Sequence, residues 1–97
     1  MNIGVLRITL HLPESGSLKA RRQIVASLLQ QIRNRFPVAA AEVGESGRWQ
    51  LAELGIACVS NDRRHADEVL ARVLGFVESR TIGGMLSDVK TEIVTVR

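Results

Sequence analysis

Ninety-seven residues and 10.6 kDa are enough for one hydrophobic core and too few for two. With 45% hydrophobic and 24% charged residues the chain has the composition of a folding globular protein, which excludes a disordered tail or a low-complexity fibre. Thirteen basic residues against ten acidic ones leave a net charge of +3, a mild bias toward polyanionic partners. No apolar run is long enough to cross a bilayer, and the first residues lack the pattern of a secretory signal, so no membrane partner is expected. The single cysteine, Cys58, allows no intramolecular disulfide, and the expected compartment is a reducing cytoplasm.

In chain order, residues 2–12 alternate. Leu6, Ile8, Leu10 and Leu12 fall on one side, and Val5, Arg7, Thr9 and His11 on the other, which predicts a strand with one buried face. Pro13 to Ser17 is turn chemistry, with Ser17 placed to cap a helix. The apolar stripe of that helix is Leu18, Val25, Leu28, Leu29, Ile32 and Phe36, and Pro37 stops it. Runs over 38–43 and 51–60, joined through a connection holding two glycines, read as a hairpin. A second helix starts at Ser60 or Asn61 followed by Asp62, with Ala66, Val69, Leu70, Val73, Leu74 and Val77 as its stripe. After Gly83-Gly84, a final β-branched segment alternates Val89, Thr91, Ile93 and Thr95 with polar residues.

The order β-α-β-β-α-β predicts one ferredoxin-like α+β domain over residues 1–97, with a four-stranded antiparallel sheet ordered 4-1-3-2 and two helices on one face. The other face stays open. Ile3, Val5, Ala57 and Val59 would lie on it, and such an apolar face suits a contact between subunits of a homo-oligomer.

Eleven of the thirteen bases are arginine, planar forks that suit phosphate. Two readings of that usage compete, the base composition of a genome and a polyanionic partner, so position has to decide. The topology predicts one cluster of Lys19, Arg21, Arg22, Arg48 and Arg80 at one end of the sheet. A second, of Arg33, Arg35, Arg63, Arg64 and His65, with Arg97 as a further candidate, is predicted at the other. Each end also carries a helix N-terminus, whose free N–H groups favour an anion, and Ser17, Lys19 and Arg22 would frame one such site. The competing structural readings are that Arg21 and Arg22 lay their stems over the core edge, and that Asp62 pairs with Arg33 or Arg35.

Other motifs point to no reaction. The aromatics are Phe36, Trp49 and Phe76, none on the first or third strand, which excludes a base-stacking sheet of the RNA-recognition-motif type. Trp49 is a candidate for stacking or for a partner contact, the alternative being a lid over the core. Gly44-Glu45-Ser46-Gly47 matches a GxxG phosphate loop only formally, since it sits in a hairpin and carries an acid. His11, His65 and Cys58 are too scattered to hold a metal, and Cys58 reads as a small buried residue. Ser17, Ser60 and Ser79 have no matching His and carboxylate, Glu42, Glu45 and Glu53 read as solvated hairpin carboxylates, and no phosphate-loop or dinucleotide motif occurs. No catalytic residue, metal or cofactor is therefore expected.

Two segments carry a family resemblance: Ser17-Leu18-Lys19 with Arg22, and Cys58-Val59-Ser60-Asn61-Asp62-Arg63-Arg64-His65. With Ile3-Gly4-Val5-Leu6, Asn34-Arg35-Phe36, Ala41-Glu42-Val43 and Trp49-Gln50, the chain resembles the YlxP-like family of bacterial proteins of unknown function along nearly its whole length. The resemblance implies a ferredoxin-like fold, a cytoplasmic location and genes beside those of translation initiation and ribosome maturation factors. Family members usually carry an acid at the position of Ala20, so the capping box with Ser17 is incomplete here.

The function expected first is non-enzymatic binding of structured RNA or a ribosomal subunit through Arg and Lys contacts to phosphates. The alternatives are an oligomeric module that binds a small anion or metabolite, and, by fold analogy alone, an acylphosphatase-like enzyme.

Overall fold

The computed structural model describes residues 1–12, 18–44, 50–80 and 86–97. Its elements are β1 (Asn2–His11), α1 (Leu18–Arg35), β2 (Ala39–Val43), β3 (Leu51–Ser60), α2 (Arg63–Arg80) and β4 (Leu86–Thr95). The strands form one sheet in the order β2-β3-β1-β4, every neighbouring pair antiparallel, which is the predicted ferredoxin-like arrangement.

Alternation along β1 and β3 sets the layers. Leu6, Ile8 and Leu10 lie against the helices with Ala52, Leu54, Ile56 and Cys58, while Val5, Arg7 and Thr9 point to the opposite face. The helices complete this core with Val25, Leu28, Leu29 and Ile32 of α1 and Ala66, Val69, Leu70, Val73 and Val77 of α2. Each fully buried aliphatic side chain contributes about 2 kcal/mol, so the ten that are nearly sealed from water dominate stability. Leu18, expected on the α1 stripe, is exposed, and the position one turn further in is taken by Arg21, which is buried.

The ends of the helices follow from their flanking residues. The Phe36 N–H still reaches the Ile32 carbonyl at 3.0 Å, and Pro37 then ends α1. The cap of α2 is Asp62 and not Ser60 or Asn61, the two the sequence offered: its Oδ1 accepts from the Arg64 N–H at 2.9 Å, and the Ser60 hydroxyl accepts from the Asp62 N–H at 3.0 Å. That bond commits Asp62 to its own helix rather than to Arg33 or Arg35. At the far end of β1, Thr95 donates to the Asn2 side chain at 2.9 Å and joins β4 to the central strand.

Gly4 lies where α2 crosses β1. A Cβ there would sit 2.9 Å from Leu70 Cδ1, 3.3 Å from the Cys58 sulfur and 3.4 Å from the Ala66 Cβ, so this crossing needs a residue without a side chain. Gly75, inside α2 and exposed, would meet nothing within 4 Å. Gly4→Ala is therefore expected to destabilise the protein by about 1–3 kcal/mol. Gly75→Ala is expected to stabilise it by about 0.5–1 kcal/mol through helix propensity. Urea denaturation midpoints of the two variants should move in opposite directions.

Candidate polyanion-binding surface

The predicted cations divide into those held by the fold and those left facing solvent. Arg21 is buried, with its guanidinium paired to Glu42 on β2 and its Nη2 donating to the Leu51 carbonyl at 3.0 Å, while Nε has no partner. It fastens α1 to the sheet and is removed from any surface. Glu42, expected in solvent, is the other half of this tie, and Glu53 likewise pairs with Arg7 at 2.7 Å. Arg33 donates from Nε and Nη2 to the Ala40 carbonyl at 3.0 and 2.7 Å, which anchors its position without neutralising its charge. Ser17, Arg48 and Trp49 lie outside the described residues.

Arg35 and Arg80, assigned from the sequence to opposite ends of the sheet, share one aromatic ring. Their guanidinium carbons stand 4.8 and 5.1 Å from the centroid of Phe76, which also packs edge-on against Phe36 at 5.7 Å. The two-cluster expectation is corrected here, and the reason is register. The end of α1 is pinned at Ala40, which aligns with Ile56 and through it with Leu6, in the middle of β1. α1 therefore stops halfway along the sheet, beside the last turns of α2. Arg63, Arg64 and His65 stay at the far end, exposed in the first turn of α2, where Asp62, Asp67 and Ile93 complete a shallow depression of mixed charge.

The charges are sorted by layer. α1 has five basic residues, Lys19, Arg21, Arg22, Arg33 and Arg35, and no acid. α2 sets Arg63, Arg64, Arg72 and Arg80 against Asp67, Glu68 and Glu78, whereas the four strands hold Arg7 and Lys90 against Glu42, Glu53, Asp88 and Glu92. The net positive charge thus sits on the helices. Along one flank of α1, Lys19, Arg22, Ala26 and Arg33 are exposed, a row without carboxylates of its own, about 21 Å long from Lys19 to Arg33. Beside it, Leu10, Ala20, Gln23, Ile24, Ser27, Leu28, Gln31 and Arg80 line an open groove between the helices of about 500 Å³.

Phe76 and Arg80 complete this surface, and the sequence held one sign of them: they are four residues apart on one helix, a spacing that brings side chains together. The approach of Arg35 had no such sign. Among the described residues, no group of three His, Cys, Asp or Glu side chains could hold a metal ion, and no helix is long and apolar enough to cross a membrane.

Two helices covering one face of a four-stranded antiparallel sheet, one of them without an acidic residue, define a ferredoxin-like α+β protein whose net positive charge lies on its helical layer. The fold is shared widely. PA3566 from Pseudomonas aeruginosa superposes with a TM-score of 0.60 at 15% identity, covering 100% of this chain and 96% of that one. SnoaB, a cofactor-independent oxygenase from Streptomyces nogalater, gives 0.55 at 12% identity with coverages of 99% and 93%, and the de novo designed protein LFR1 1 with ferredoxin fold gives 0.55 at 9% with 99% and 87%. At such identities the likeness is one of fold alone. The chain belongs to the DUF503 family of proteins of unknown function, whose sequence profile matches residues 3–91. A relative, the uncharacterized protein YlxP of Bacillus subtilis (strain 168), is 38% identical over 66 residues, covering 68% of this chain and 72% of that protein.

The tie between Arg21 and Glu42 can be separated from the exposed cations. Glu42→Ala removes an exposed residue from an edge strand, yet it leaves a buried guanidinium without its counterion, and the expected loss is about 1–3 kcal/mol. Adding Arg21→Met should recover part of that loss. Urea denaturation of the single and double variants measures the coupling.

Proposed function

We propose that this protein is a non-enzymatic, cytoplasmic RNA-binding protein that grips the phosphates of structured RNA, such as that of a ribosomal subunit, through its helical layer. The observation that carries the reading is α1, an 18-residue helix with five basic residues and no acidic one. Lys19, Arg22 and Arg33 on one flank of it, with Arg35 and Arg80 on Phe76 at the other, can together meet several phosphates, whereas a small anion would use one or two of them. Guanidinium forks give such contacts direction as well as charge. Among the described residues the open sheet face carries no Phe, Tyr or Trp, so recognition is of backbone and shape rather than of stacked bases. Arg63, Arg64 and His65, in their mixed-charge setting, would add contact at the far end.

A second reading has a specific feature in its favour. The groove between the helices has Arg80 in its lining beside the apolar Leu10, Ile24 and Leu28, a setting for a small ligand with one anionic end. A nucleoside monophosphate that raises the melting temperature of the native chain, but not that of Arg80→Ala, would favour it.

If about four phosphates are neutralised, affinity for a short RNA duplex should fall about 150-fold between about 50 and about 200 mM salt. In Lys19→Ala/Arg22→Ala, the slope of log affinity against log salt should be shallower by about two. Filter binding or fluorescence anisotropy over a salt series measures both. Absence of binding at the lowest salt, or a slope unchanged by the double substitution, would contradict the proposal.

A further inference from the structure

The open face of the sheet has its own composition. Of the eight large hydrophobic side chains exposed among the described residues, Met1, Val5, Val43, Val59, Val94 and Val96 belong to this face or its rim, with Val59 the barest at 67%. Where β3, β1 and β4 run side by side, Val59 and Val94 flank Ile3 in register and Ala57 stands beside Val5, giving a continuous apolar lobe. The adjacent rows are charged and of both signs, with Arg7 paired to Glu53 and aligned with Lys90, between Glu92 and Asp88.

We propose that a second copy of this chain covers this face, the two sheets packing lobe to lobe. Charge selects that occupant. A face carrying both signs can meet itself in a register that sets bases against acids, while its acids oppose a polyanion, and the helical layer, with nine basic residues against three acidic ones, repels its own copy. Size agrees. Four strands, three of them ten residues long, make a plane of about 33 by 19 Å, or about 600 Å² before side-chain relief. A standard interface takes about 800 Å² of accessible surface from each partner. An apolar centre bordered by charged rows is also the anatomy of such a contact. In the dimer both helical layers face outward, giving two cationic surfaces on opposite sides. The proposal stands whether or not those layers bind RNA.

Sedimentation equilibrium of the full chain, from low to high micromolar concentration, should give a mass twice 10.6 kDa at the upper end. Val59→Glu should return the mass to that of one chain with an unchanged circular dichroism spectrum, because this side chain is already bare in the single copy. The milder Val94→Ser should raise the dissociation constant about ten-fold, and Arg22→Glu, on the other layer, should leave it unchanged. A native chain that stays at 10.6 kDa throughout would overturn the proposal and leave the face to a different protein. A dimer that survives both Val59→Glu and Val94→Ser would overturn it by placing the contact elsewhere.

Discussion

The alternation along β1 is the constraint on which the rest depends. β1 is hydrogen-bonded on both sides, to β3 and to β4, so the direction of its side chains sets the direction for the whole sheet. Leu6, Ile8 and Leu10 on one side oblige both helices to pack there, and Val5, Arg7 and Thr9 leave the other side open. A slip of one residue in either pairing would reverse every side chain of the slipped strand and bury Arg7 or Glu53 in the core. The layering of the charges follows from this same choice, since the basic residues are mostly on the helices and the helices are confined to one face.

Within that frame, arginine has three physical roles. Arg21, sealed beneath the surface, ties α1 to β2 through Glu42 and the Leu51 carbonyl, and Arg33 holds the other end of α1 through the Ala40 carbonyl. Arg35 and Arg80 rest on Phe76, which keeps two like charges near each other at a position where an anion would relieve their repulsion. Lys19 and Arg22 extend into solvent from a helix that offers them no acid. Of these cations only Arg21 is withdrawn from a polyanion, which makes the proposed surface a row of Lys19, Arg22 and Arg33 on one flank of α1 and a pair on Phe76 rather than two polar clusters.

Much of the fold was legible because its signals are local. Period-two alternation located β1, glycines and Pro37 marked the connections, and the three- and four-residue spacing of Ala66, Val69, Val73 and Val77 located α2. Part of the charge placement was legible too: Arg21 lies four residues before Val25 on the buried stripe, and Glu42 shares the inward parity of Ala40 on β2. The meeting of Arg35 with Arg80 was not, because it depends on where β2 pairs along β3, a non-local register that element order does not encode. That the cap is Asp62, where the sequence suggested Ser60 or Asn61, was equally hidden, since all three are good cap residues in succession and only the geometry separates them.

The division of labour between the two faces is the central claim, and a residue-resolved titration tests it most directly. Backbone amide NMR shifts of the full chain, followed as a short RNA duplex is added at low salt, should move along α1 and at Phe76 to Arg80 while Ile3, Val5 and Val59 stay in place. Shifts concentrated on the open sheet face, with Lys19, Arg22 and Arg35 unmoved, would contradict the account.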